Sequence, residues 1–96
     1  MLSNPTLGLL DGLIGRTIRK GTLTLIGADG RPRRHGDGAP PVVTMRLDDP
    51  SLYGKILVNP ELAVGEAYMD GGLTIPEGDL RGFLQLFHQN AANLRV

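Results

Sequence analysis

Leu7, Leu10, Leu13 and Ile14 recur at helical spacing, which predicts an amphipathic helix over residues 5–19. Gly8, Gly12 and Gly15 interrupt it, each costing about 1 kcal/mol relative to Ala, so this helix must draw on tertiary packing. From Gly21 the period falls to two. Thr22 and Thr24 alternate with Leu23 and Leu25, as a strand with one buried face requires. Asp29-Gly30 then supplies a hairpin turn, because that pair tolerates positive φ, and Arg31 to His35 should return antiparallel. Pro32, Arg33 and Arg34 make the returning strand polar on both faces, which suits a sheet edge. After a loop over residues 36–41, Val43, Met45 and Leu47 alternate with Thr44 and Arg46 as a third strand.

Asp48-Asp49-Pro50 reads as a capped helix start, and Leu52, Ile56 and Leu57 give that helix its apolar stripe. Asn59-Pro60-Glu61 repeats the signal, so a further helix runs to about Met69 and ends at Asp70-Gly71-Gly72. Leu73 to Ile75 forms a brief strand, stopped by Pro76, with Leu73 and Ile75 pointing inward. Asp79 caps a last helix whose Leu80, Phe83, Leu84 and Phe87 fall at i, i+3, i+4 and i+7 as its apolar face. Gln89 to Val96 carries no stop signal, and Asn90, Asn93 and Arg95 suit a linker. Strands interleaved with helices in this order predict an α+β fold.

Ninety-six residues fit one core and one domain. With 41% apolar and 21% charged residues, the chain has the balance of a domain that folds in water. No stretch approaches the roughly 20 apolar residues of a membrane-spanning helix. Met1 to Leu10 lacks a basic leader region and meets Asp11, so a secretory signal is not expected. The chain has no cysteine, which excludes disulfides and thiolate chemistry and makes a reducing cytoplasm the expected home. Charge balances overall, but residues 1–46 are basic and residues 47–96 acidic. In the basic half, Arg16, Arg19 and Lys20 are candidates for lipid phosphate at a membrane surface, against the plainer reading of a solvated face. No aromatic interleaves with them, so nucleic acid is not an expected partner.

No catalytic constellation is visible. His35 and His88 have no deducible partner, no ligand pair stands at zinc-like spacing, and neither the dinucleotide-binding glycine pattern nor a P-loop occurs. Glu61, Glu66, Asp70, Glu77 and Asp79 each have a cap, turn or solvated-face explanation. Neither catalysis nor a bound metal or cofactor is therefore expected of these residues.

The run Val58-Asn59-Pro60-Glu61-Leu62-Ala63-Val64-Gly65-Glu66-Ala67-Tyr68-Met69-Asp70-Gly71-Gly72-Leu73 closely resembles the amino-terminal region of cyclopropane-fatty-acyl-phospholipid synthases. The order of helix, strand, turn and strand before it agrees as well. A looser similarity joins residues 59–63, 67–71 and 78–80 to sterol-carrier-protein-2-like domains, and implies a small, largely antiparallel sheet with helices covering one face and an apolar ligand tunnel. The resemblance implies a non-catalytic amino-terminal domain that holds phospholipid acyl chains for a separate carboxy-terminal methyltransferase domain. That domain would carry S-adenosylmethionine, and the chain stops before it. The implied setting is the cytoplasm, with peripheral contact at the inner face of the membrane.

Leu62, Tyr68, Met69, Phe83 and Phe87 are the lipid-contact candidates, and all five are equally ordinary core residues. The alternatives are a module that docks on the methyltransferase domain or forms a homodimer, which would expose an apolar patch instead of a tunnel, and a standalone sterol-carrier-like lipid carrier.

Overall fold

The computed structural model describes residues 5–94; Met1 to Asn4, Arg95 and Val96, on which parts of the leader and linker readings fall, lie outside the described residues. The elements run α1 (Pro5–Thr17), β1 (Thr22–Ile26), β2 (Pro32–Gly36), β3 (Val42–Leu47), α2 (Ser51–Val58), α3 (Pro60–Asp70), β4 (Leu73–Glu77) and α4 (Leu80–Asn90), then a 3-10 turn at Ala91–Leu94.

The four strands form one mixed sheet in the order β2-β1-β3-β4. The outer pairings, β1 with β2 and β3 with β4, are antiparallel, and the central one, β1 with β3, is parallel. This arrangement follows from the hairpin. Because β2 is polar on both faces it closes the sheet at that edge, so the chain crosses back and lays β3 against the free side of β1, where Leu23 meets Val43 and Leu25 meets Met45. Gly36 allows the crossing: it holds φ +112°, and a Cβ there would overlap the Gly21 carbonyl oxygen.

Leu23, Leu25, Val43, Met45, Leu47 and Leu73 are all but fully buried on one face, beneath Leu10 and Ile14 of α1, Tyr53 and Ile56 of α2, Ala63 and Ala67 of α3, and Phe83 and Leu86 of α4. The other face carries Thr22, Thr24, Thr44, Arg46 and Thr74. The fold is thus α+β with its helices on one side of the sheet, as the strand and helix order implied.

Most predicted boundaries hold. Asn59 closes α2 and caps α3, Gly71 ends α3 at φ +86°, and the Asp79 carboxylate accepts the Gly82 N–H at 2.7 Å. At α2 the cap position falls on Pro50, which has no side chain to bond, while the Asp49 carboxylate accepts the Ser51 N–H at 2.9 Å, a bond that holds Asp49 below the usual carboxylate range. Two expectations fail. β4 runs through Pro76 to Glu77, because it is an edge strand and its register shifts between Thr44 and Arg46, where a missing N–H is tolerated. The described part of the expected linker is structure: Asn90 is 1% exposed, and the Asn93 amide donates to the Thr17 carbonyl at 3.0 Å.

Tyr53 shows how the core ties down a loop. Its ring is buried, and its hydroxyl accepts the Ala28 N–H at 2.7 Å, in space left because residue 27 is Gly. Tyr53→Phe should therefore cost about 1–2 kcal/mol by stranding that N–H, read as a lower urea midpoint at unchanged m-value.

Candidate functional site

α3 and α4 cross the same sheet face without closing on each other, and the space between them is an open groove of about 430 Å3. The helical repeat decides what lines it. On α3, Val64, Gly65, Tyr68 and Met69 turn one flank toward the groove; on α4, Leu80, Leu84 and Phe87 do so, with Phe83 and Leu73 at the floor. Phe83 and Phe87 meet edge to face, ring centres 4.8 Å apart at 72°, so the floor is rigid aromatic surface. The polar rim is sparse, with Glu61 on the α3 side and His88 on the α4 side.

Four of the five lipid-contact candidates, Tyr68, Met69, Phe83 and Phe87, come together here. Leu62 does not. It sits about 10 Å back along α3 from Met69, 58% exposed, and lines no part of the groove. The α4 stripe also turns differently from the one counted in the sequence. The helix buries Phe83, Leu86 and Asn90 toward the sheet, which leaves Leu84 48% exposed at the groove mouth. Leu80, Leu84, Val64 and Leu73 were not singled out as ligand contacts, although the 80/84/87 spacing would have identified one wall. A larger hollow, about 700 Å3, runs along the outer side of α4 alone, and one helix encloses nothing. A small void of about 20 Å3 lies behind Phe87, against Leu13 and Thr17 of α1.

Arg16, Arg19 and Lys20 are exposed at the end of α1 and in the loop after it, and none lines the groove. The backbone of Arg19 and Lys20 is fixed from α4. The Asn90 side-chain oxygen accepts the N–H groups of Arg19 and Lys20, both at 3.0 Å, while its amide donates at 2.8 Å to the carbonyls of Lys20 and Leu86. Elsewhere in the basic half, Arg33 donates to Asp29 at 2.8 Å; that bond, with the Arg31 N–H, lowers the Asp29 carboxyl to about 2. The pair is exposed and so adds little stability.

His35 has a partner that sequence spacing did not reveal. Its Nε2 lies 2.6 Å from Asp11 Oδ1, joining β2 to α1, and the absence of a side chain on Gly15 leaves room for the ring. Among the described residues no cluster of three or more His, Asp or Glu has the geometry to hold a metal ion, and no helix is long and apolar enough to cross a membrane.

A family model described as a domain of unknown function, DUF7884, matches residues 16–95, and the chain belongs to that family. No curated protein matches the sequence.

Proposed function

We propose that this member of the family is a non-catalytic lipid-holding domain that seats a phospholipid acyl chain in the α3–α4 groove. It would serve a separate S-adenosylmethionine-dependent methyltransferase domain of the cyclopropane-fatty-acyl-phospholipid-synthase type, in the cytoplasm at the inner face of the membrane. The observation that carries the proposal is the groove itself: about 430 Å3, with an aromatic and aliphatic floor and with Glu61, His88 and the Tyr68 hydroxyl as its polar side-chain groups. That volume falls within the roughly 300–1,000 Å3 of small-molecule sites. An acyl chain needs this kind of surface, because its affinity comes from apolar area removed from water and it offers nothing to hydrogen-bond. The resemblance of residues 58–73 to the synthase family supports the choice of ligand, since this run contributes the whole α3 wall and Leu73 of the floor.

The groove is open rather than a tunnel, and its α3 rim continues outward through Met69, 85% exposed, and Leu62. That rim favours a second reading in which the same face docks on another protein surface.

Gly65 offers a test that leaves folding intact. It lies in the α3 wall with open space where a Cβ would stand, so Gly65→Leu fills the groove. The substitution should stabilise the helix by about 0.5–1 kcal/mol. Titration with a fluorescent fatty acid, in a protein whose lack of tryptophan leaves the signal clean, should show saturable binding by the parent and binding weakened at least about tenfold in the variant. A parent that does not bind, or a variant that binds as the parent does, would count against the acyl-chain role.

A further inference from the structure

The groove has two unlike lips. On the α3 side Glu61 stands at the rim, where its carboxylate repels an anion. On the α4 side Leu80, Leu84 and His88 form a ridge that belongs both to the groove and to the hollow on the outer side of the helix. Beyond the ridge that hollow is walled by Arg81, Gln85 and Gln89. Arg81, Gln85 and His88 follow at i, i+4 and i+7, which makes them one stripe about 10 Å long. All three are exposed, and among the described residues their side chains make no hydrogen bond or ion pair. Each is a donor: a guanidinium fork, an amide NH2 and an imidazole N–H present in either protonation state. α4 contains no carboxylate, and Asp79 just before it accepts the Gly82 N–H. At the far end of the stripe Gln89 donates to the Lys20 carbonyl at 3.0 Å, which brings the Arg19–Lys20 loop alongside.

We infer, building on the acyl-chain reading, that this stripe is an anionic headgroup site: a lipid whose chain lies in the groove crosses the Leu84 ridge and sets its phosphate on Arg81, Gln85 and His88. A tail gains from enclosure because its affinity is apolar area removed from water, whereas a charged headgroup keeps its hydration in the open. The enclosed groove therefore suits the tail, and a hollow walled by one helix suits the headgroup. Arg81 supplies positive charge and a planar fork that matches two phosphate oxygens, and Gln85 and His88 add donors further along the same line. Because Glu61 turns an anion away from the opposite lip, the two rims also fix the direction in which the lipid lies.

Calorimetric titration with decyl phosphate and with decanol, below their aggregation limits and at constant ionic strength, tests it. The two ligands share a chain and differ in headgroup. The parent should hold decyl phosphate at least about fivefold tighter than decanol. Arg81→Gln should bring that ratio under about twofold by removing the charge and the fork, and Gln85→Glu should do the same by placing a carboxylate in the stripe. Both side chains are exposed and line no part of the groove, so either variant should keep the parent's thermal midpoint. A parent without phosphate preference, or a preference that survives either substitution, would overturn the headgroup site and leave the acyl-chain groove standing. Gly65→Leu reads the groove separately: it should weaken both ligands, and decyl phosphate binding that it leaves unchanged would remove the chain from the groove. If neither ligand binds, both readings fall. Inorganic phosphate at about 10 mM should weaken decyl phosphate binding by less than about threefold; a larger effect would make the stripe a site for the free ion and overturn its assignment to a headgroup.

Discussion

Asn90→Ala should lower the folding stability of this chain by about 3 kcal/mol. The side chain is 1% exposed and makes four hydrogen bonds, three of them to the Arg19–Lys20 backbone seventy residues away in sequence. Truncation strands two backbone N–H groups at once, and each unmet donor in a dry setting costs about 1–3 kcal/mol. The Lys20 carbonyl keeps one partner, because Gln89 also donates to it at 3.0 Å, and this holds the total near the lower end of the sum. For a domain whose entire stability is about 5–15 kcal/mol the loss is large, and it should lower the thermal midpoint by more than about 10 °C. Asn90→Asp should also be destabilising. It keeps the accepting oxygen but turns a second oxygen onto the carbonyls of Lys20 and Leu86, so half of the amide's contacts become repulsive. Urea unfolding followed by circular dichroism measures both variants, and losses under about 1 kcal/mol would mean that the α1–β1 loop is held by something else.

Asn90 also marks where sequence patterning stops being informative. Period counting finds the helix at residues 80–90 and its Asp79 cap, because both signals are local. It sets the helix phase by apolar residues alone, and so the reading of Leu80, Phe83, Leu84 and Phe87 as one buried face passes over a polar residue that the fold buries more deeply than Leu84. The displaced stripe is what builds the site: with Asn90 and Leu86 turned to the sheet and the α1–β1 loop, Leu84 and Phe87 face α3 across the groove. Strand identities were legible for the same local reason. The parallel pairing of β1 with β3 was not, since it depends on which edge of the hairpin can still bury Val43 and Met45, a non-local choice. Pro76 reads as a stop because a proline cannot donate, which is decisive in a central strand and immaterial at the edge that β4 occupies. Of the five lipid-contact candidates, Leu62 alone falls outside the groove; its type matches that of its neighbours, and it shares a helical face with Met69 but lies seven residues, about 10 Å, back along α3.

Phe83→Ala should distinguish a groove that holds an acyl chain from one that merely looks apolar. Phe83 has no exposed surface, packs edge to face on Phe87 and forms the groove floor. Removing a buried phenyl ring costs about 3–5 kcal/mol when a closed cavity remains. Here the vacated space opens into the groove, so without ligand the loss should fall toward the lower end of that range, about 3 kcal/mol, while the groove itself becomes deeper. A chain that occupies the groove then regains contacts the ring had provided and binds only the folded state. Saturating fatty acid should return part of the lost stability, about 2.7 kcal/mol when free ligand stands at about one hundred times its dissociation constant. The measurement is the thermal midpoint of parent and variant with and without fatty acid. Recovery in the variant exceeding the shift in the parent would locate the chain on the Phe83 floor. A variant as unstable with ligand as without it would leave the groove without the occupant proposed for it.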